Sequence, residues 1–484
     1  MALSLPLLFG LLVYAVTLVR AKHILGDPDT YWHIVLGNWI IAHRAVPHED
    51  LWSYTKADAP FVPMEWLAEV IIAGFYNLLG WGGLAGMAAL AAAAALALQL
   101  RLLLRHLLPV HALMVGALSW MMIVGHILAR PHIFSLPIMV AWSAALLAAR
   151  DGERPPSPWL LPLMALWANL HASYLLGLGL SGLFALEAVL AAPDWPGRVR
   201  AARGWGLFCV LAFLAALLTP YGVWSLLQPL KLLRMHFALA ILSEWQSPNF
   251  ENYQPLELWI LLFAAVAFTL SWRLPAMRLL MVLFLLHMAL AHRRNVEVLG
   301  LVGPFLLAPA LFPKLENRPG EGRLLSFLDR SMAELGKPAS AFGTLLASVL
   351  FILVTLAGLP PRRLRHGEGD ITPAAALAVA AVHGVKGRVL NDYSFGGYLI
   401  FRGIKTFIDG RADFYGDPFI RRYYDAVNLV DDSLPKLLEK YHITWILLQP
   451  REPAVRLIPL LPGWRQIYAD KIAVLDVREN ARKR

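Results

Sequence analysis

The chain has 484 residues, of which 58% are hydrophobic and only 16% charged. Soluble domains are usually about a quarter charged, so a water-soluble globular protein is excluded and an integral membrane protein is indicated. The net charge of +10 then points to anionic lipid, or to a phosphate-bearing lipid substrate, rather than to nucleic acid. Cys209 is the sole cysteine, which rules out an internal disulfide, so any external domain must hold together by packing.

In chain order, apolar runs separated by charged breaks predict spans near 2–20, 83–103, 112–128, 133–149, 158–170, 173–192, 205–219, 256–271, 278–291, 296–312 and 340–359. The first run lacks a basic start and an A-x-A-like cleavage site and is read as a retained helix. Between the first two spans lies a long loop, 21–82, with surface helices expected near 31–43 and 64–80. Glu65 and Glu69 are four apart on the second of these and read as its solvated face.

With the N-terminus inside, the inner loops carry Arg101, Arg105, Arg150, Arg154, Arg198, Arg200, Arg203, Arg273, Arg278, Lys314, Arg318, Arg323, Arg330 and Lys337. That agrees with the positive-inside rule, which Arg20 and Lys22 oppose, and gives eleven spans with the C-terminus outside. The expected domains are a transmembrane part, 1–359, and an extracytoplasmic α/β domain, 360–484. In the latter, short β-like runs (Arg388–Leu390, Lys405–Ile408, Thr444–Gln449, Ile472–Val477) alternate with helix-like stretches at 373–383, 417–429 and 433–441.

This topology collects the unusual polar residues on the outer face. Gly26-Asp27-Pro28-Asp29-Thr30-Tyr31-Trp32-His33 sets two carboxylates and an imidazole just beyond the first span. Further turns carry Arg130-Pro131-His132, Asn169-Leu170-His171, Ser243-Glu244-Trp245-Gln246 and His292-Arg293-Arg294-Asn295. Each has a plainer reading: Asp as a helix cap, His33 as an interfacial residue, and the arginines as headgroup anchors. Polar groups interrupting apolar spans, as Asn169 and His171 do, point to function. In the tail, Asn391-Asp392-Tyr393, Gly396-Gly397 and Phe407-Ile408-Asp409-Gly410-Arg411 read first as strand ends and turns, with glycine supplying positive φ.

A large acidic first outer loop with surface helices, many spans and an external α/β tail together resemble the GT-C superfamily of polytopic glycosyltransferases. The carrying stretches are GDPDTYWHIVLGNWI, WSYTKADAPFVPMEWLAEV, ARPHIFS, LWANLHASYLLGL, LTPYG, SEWQSP, HRRN, NDYSFGGYLIFRG and FIDGRADFYG. They look closest to a bacterial group of GT-C-like membrane proteins. The resemblance implies a polyprenyl-phosphate-linked sugar as donor, with a glycan, lipid or protein as acceptor, and work in the bilayer of the bacterial inner membrane with the tail in the periplasm. It puts the catalytic acid on Asp27 or Asp29. The Asp-x-Asp spacing is similar to the oligosaccharyltransferase pattern, in which the acid helps bind a divalent metal, so Mg2+ or Mn2+ at Asp27 and Asp29 stays open. The sequence departs from the mannosyltransferase-like Asp-Glu pair and shows no clear match to the oligosaccharyltransferase Trp-Trp-Asp motif.

The expected chemistry is direct displacement with inversion. Asp29 (or Asp27) is the base, and Arg130, His132, Arg293 and Arg294 hold the departing phosphate. His33, Asn169, His171, Glu244 and Asn295 line the sugar or acceptor pocket, and Asp409, Arg411 and Asp413 of the outer domain help hold the acceptor. Two rivals stand beside this reading: an O-antigen-ligase-like enzyme leaning on Arg and His, and a non-enzymatic lipid-glycan transporter or assembly protein.

Overall fold

The computed structural model describes residues 4–269, 274–315, 332, 335, 339–358 and 371–479. Arg273, Arg318, Arg323, Arg330 and Lys337 of the expected inner loops, and the expected domain boundary at 359/360, lie outside the described residues. The chain divides into two compact units. One comprises Met1–Ala21, Ala85–Gly222 and Leu242–Pro360, and the other Lys22–Leu84, Val223–Ile241 and Pro361–Arg484.

The first unit is helical. Helices occur at all eleven stretches read as spans. Among the described residues, five helices are long and apolar enough to cross a membrane: Trp66–Leu103, Pro109–His126, Pro131–Asp151, Tyr174–Ala191 and Trp195–Ala216. Shorter apolar helices include Leu5–Val19, Pro255–Thr269, Ala276–Ala291 and Ala341–Thr355. Small residues let helices approach closely, and buried polar side chains then bond across the contact. Ser119 Oγ and Gln99 Nε2 both donate to the Gly300 carbonyl, at 2.7 and 2.9 Å, and Trp142 Nε1 donates to Gly177 O at 2.9 Å. The helix Trp195–Ala216 starts ten residues before the apolar run it serves. Asp194 caps it by accepting from the Gly197 N–H at 2.7 Å. Arg198, Arg200 and Arg203, expected in a loop, therefore lie on its first turns.

The second unit joins the long first loop to the C-terminal tail. The loop helix Asp29–His43 crosses the start of Trp66–Leu103 at Gly37, where an added Cβ would lie 2.0 Å from the Glu69 carbonyl. That second helix does not stop at Gly80 as a separate surface helix would. It runs on into the span through one non-helical residue, Gly80 (φ 62°, ψ −155°). Glu69 is buried beside His33 rather than solvated, because that helix face packs on Asp29–His43.

The tail folds around a four-stranded mixed sheet of order β1-β2-β4-β3: β1 Arg388–Asn391, β2 Ile443–Leu448, β3 Trp464–Ala469 and β4 Val474–Arg478. β1 and β2 are parallel, joined by helices at Gly396–Phe401, Asp417–Val427 and Ser433–Lys440; β4 runs antiparallel to both its neighbours. One sheet face buries Val389, Trp445, Leu447 and Leu475 against Ala376, Ala380 and Leu399.

One strand was missed and one expected strand needs correction. Trp464–Ala469 is a strand the sequence hid, since it is an edge strand with mostly half-exposed and exposed residues. Lys405–Ile408 is not a strand of the sheet. The Asn391 side chain takes its ladder bonds instead, accepting from Phe407 N at 2.8 Å and donating to Ile408 O at 2.7 Å. Thr406 pairs with the first loop as an isolated bridge to Ser53.

Candidate active site

Asp27, Asp29 and His33 sit at the start of the loop helix. Asp27 Oδ1 accepts from the Asp29 N–H at 2.8 Å, two residues on, while Pro28 occupies the N-cap position of the helix. Asp29 is the first helical residue, largely buried at 8% exposure. His33, one turn on, contacts Glu69 through Nδ1–Oε1 at 3.2 Å and packs at a tilt against the Trp32 ring.

The tail glycines explain how this turn is fixed. Neither Gly396, Gly397 nor Gly410 has positive φ, so the turn reading of these glycines is replaced by one of close approach. An added Cβ on Gly397 would stand 2.1 Å from the Pro28 carbonyl oxygen, and one on Gly410 would stand 1.7 Å from Asp29 Oδ1. The Asp-Pro-Asp turn is thus set against backbone in which only hydrogen fits.

Next to it lies a buried ionic centre. Arg411 binds Asp409 through two 2.7 Å contacts and reaches Asp50 at 2.6 Å. Phe61 and Phe414 at 5.0 Å, and Trp52 at 5.7 Å, surround the guanidinium. Tyr415 and Thr406 donate to Asp409, at 2.7 and 3.0 Å, while Asp50 accepts from the backbone and hydroxyl of Ser53. Burial alone would push the Asp409 carboxyl up, but the adjacent Arg411 outweighs it and holds the group below the usual carboxylate range. Asp409 and Arg411 therefore direct their bonds inward, to one another and to the first loop, rather than toward an acceptor. Asp413, grouped with them in the sequence, accepts from Gln228 Nε2 at 3.0 Å.

In the first unit, a second cluster gathers turns far apart in sequence. Glu244, on the 3-10 turn Ser243–Trp245, lies between two arginines: Arg130 Nη1 at 3.4 Å from Oε2 and Arg294 Nη1 at 3.6 Å from Oε1. Arg294 also packs over the Trp245 ring at 4.6 Å. Burial works against the Glu244 charge, yet Arg130 and Arg294, then His132 and His126, lower its pKa below the ordinary value. His132 Nε2–H donates to the His126 carbonyl oxygen, 2.8 Å away, and the His132 ring centre lies 6.3 Å from that of His171. An Nε2–H donor on His132 is what a carbonyl partner requires.

The remaining expected site residues make bonds to nearby turns and backbone. Asn169 Nδ2 donates to Ala165 O and Leu218 O, and His171 Nδ1 bonds Ser173 Oγ. Asn295 Nδ2 donates to Met288 O. Arg293 contributes its backbone N–H to Gln246 O while its side chain stays exposed. The sequence reading gave Asp50, His126 and Trp245 no part in the site; the one signal for Asp50 was a carboxylate two residues before a tryptophan.

Asp27 and Asp29 offer two carboxylates to a metal, and one Asp27 oxygen already accepts a backbone N–H. Among the described residues no group of three His, Cys, Asp or Glu is placed to hold an ion. The donor set does not by itself make a Mg2+ or Mn2+ site.

The sequence matches no protein-family model and no curated protein. Solved structures do match. The oligosaccharyltransferase AglB of Archaeoglobus fulgidus, solved with an inhibitory peptide and a dolichol-phosphate, aligns at TM-score 0.51 and 11% identity over 93% of this chain and 69% of its own. ArnT of Cupriavidus metallidurans aligns at 14% identity in both its undecaprenyl-phosphate-bound form (TM-score 0.49, 98% of this chain and 97% of its own) and its apo form (0.47, 96% and 96%). The likeness to AglB extends over nearly the whole chain and is one of fold.

Proposed function

We propose that the protein is an inverting glycosyltransferase of the bacterial inner membrane, moving a sugar from a polyprenyl-phosphate-linked donor to an acceptor at the extracytoplasmic face. The observation that carries this reading is the meeting of Arg130 and Arg294, from distant turns between apolar helices, beside the imidazoles of His126 and His132. Guanidinium and imidazole donors suit a phosphate whose charge grows as the sugar leaves. The shared fold with a protein solved with dolichol-phosphate supports the choice of a lipid phosphate.

In this reading Asp29 is the base. The acceptor oxygen or nitrogen bonds to the anomeric carbon, the bond from that carbon to the phosphate oxygen breaks, and the acceptor proton passes to the carboxylate. Asp27 holds the Asp29 turn, and Gly397 and Gly410 fix its position. Asp409, Arg411 and Asp50 brace the tail against the first loop and act as positioning residues. We propose a membrane part, 1–359, and an extracytoplasmic tail, 360–484, as the functional division.

The test is transfer from the polyprenyl-phosphate-sugar pool of the native membrane by purified protein. Asp29→Asn should remove transfer while leaving lipid-phosphate binding intact. Full transfer by a folded Asp29→Asn variant would refute the base assignment. Transfer surviving the Asp27/Asp29 double substitution but lost on Arg294→Ala would favour the O-antigen-ligase-like reading, and binding without any transfer would favour a transporter.

A further inference from the structure

The two anion-binding arginines are not idle: each is engaged by the carboxylate of Glu244. Several features distinguish this contact from a structural ion pair. Each arginine offers one nitrogen to one oxygen, at 3.4 and 3.6 Å, whereas Arg411 grips Asp409 through two contacts at 2.7 Å. Short bidentate contacts mark the strong guanidinium–carboxylate pairs, so the Glu244 contacts are loose ones. They are also within reach of solutes, because the side chains of Arg130, Glu244 and Arg294 keep 25%, 36% and 29% of their surface exposed. The turn that carries Glu244 does not depend on the carboxylate for its position. The Trp245 carbonyl bonds His292 Nδ1, the Gln246 carbonyl accepts from Arg293 N at 2.9 Å, and the Trp245 ring lies under Arg294. The carboxylate can leave the arginines while the turn stays pinned.

We propose that Glu244 is an internal anion standing in for the lipid phosphate, and that phosphate binding displaces it from Arg130 and Arg294. This inference rests on the phosphate-binding reading given above. Two anions cannot share the same pair of guanidinium donors without strong repulsion, so the carboxylate and the phosphate compete. The lipid phosphate is both part of the donor and, once the sugar has left, a product that must depart. A carboxylate tethered beside the site returns to the arginines as the product leaves. Glu244 thereby weakens phosphate binding and speeds release, a role different from lining the sugar pocket.

The experiment measures undecaprenyl phosphate binding to the full chain in nanodiscs, for the wild type, Glu244→Gln and Arg294→Ala. Glu244→Gln keeps the shape and removes the charge, and should tighten binding at least tenfold, about 1.4 kcal/mol. Arg294→Ala should weaken it. Unchanged or weaker binding by Glu244→Gln, alongside weaker binding by Arg294→Ala, overturns the displacement role while leaving the phosphate site standing. Equal binding by wild type and Arg294→Ala, or none by either, overturns both. Glu244→Ala carries the same expectation if Glu244→Gln does not fold.

Discussion

The substitution Gly410→Ala tests the site at its tightest point. The new Cβ would lie 1.7 Å from Asp29 Oδ1, 2.6 Å from Cγ and 3.1 Å from Oδ2, so the whole carboxylate is in the way. Side-chain carbons essentially never approach other heavy atoms closer than 3.0 Å, so the carboxylate must retreat by more than an ångström or the tail segment must move. Overpacking of this size costs roughly 1–3 kcal/mol of stability. The expected effect on turnover is larger, since a misplacement of about 1 Å at a reacting group lowers rates on the order of 100-fold. The assay pairs sugar transfer with thermal unfolding of the full chain in detergent, next to Asp29→Asn. A Gly410→Ala protein that melts within a few degrees of wild type but transfers roughly 100-fold more slowly supports the placement of Asp29. Normal transfer by that variant, with Asp29→Asn inactive, would show that the carboxylate's position against Gly410 does not matter.

Other outcomes follow from buried charge. Arg411→Met leaves Asp409 and Asp50 buried without their cation and should destabilise the second unit by about 3–5 kcal/mol, read as a lowered melting temperature. Restoring stability by adding Asp409→Asn and Asp50→Asn would locate the cost in those two carboxylates. Arg278→Ala should be similarly damaging in the first unit, because Arg278 bridges the buried Glu187 at 3.1 Å and also Asp151. Asp476 gives a pH signature. It lies in the middle of the sheet, opposite Ile446 and Gln466, with neither oxygen hydrogen-bonded among the described residues, and burial pushes its pKa up to about 6. With the folded value above the unfolded value of about 3.9, the group destabilises the fold increasingly from about pH 4 to pH 6 and fully above it. Asp476→Asn should therefore raise stability at pH 7.5 by on the order of 2 kcal/mol and have little effect near pH 4. An equal gain at both pH values would mean that ionisation of Asp476 is not the cause.

Much of the helical unit was legible because burial in lipid demands long apolar runs, and those runs mark their own ends. The helices at Leu5–Val19, Tyr174–Ala191 and Ala276–Ala291 fall within a few residues of the predicted spans. The start of Trp195–Ala216 was missed because a helix can extend out of the apolar region, where arginines cost nothing and an Asp cap begins the turn. The Asp-Pro-Asp stretch announced itself through composition. The role of the tail glycines was hidden, since a glycine required by close backbone approach looks the same in sequence as one required by a turn.

The sequence by itself determined that this is a polytopic helical membrane protein with an α/β tail, and which turns carry Asp, Arg and His. Periodicity, apolar length and charge bias are local properties, readable along the chain. Only the tertiary structure decided what those residues meet: that Gly410 abuts Asp29, that Arg411 closes on Asp409 and Asp50, and that Glu244 rests between Arg130 and Arg294. Arg130 and Glu244 are 114 residues apart, and Asp50 and Arg411 are 361 apart. Such contacts depend on how packed helices and loops bring distant backbone together, which no local pattern records.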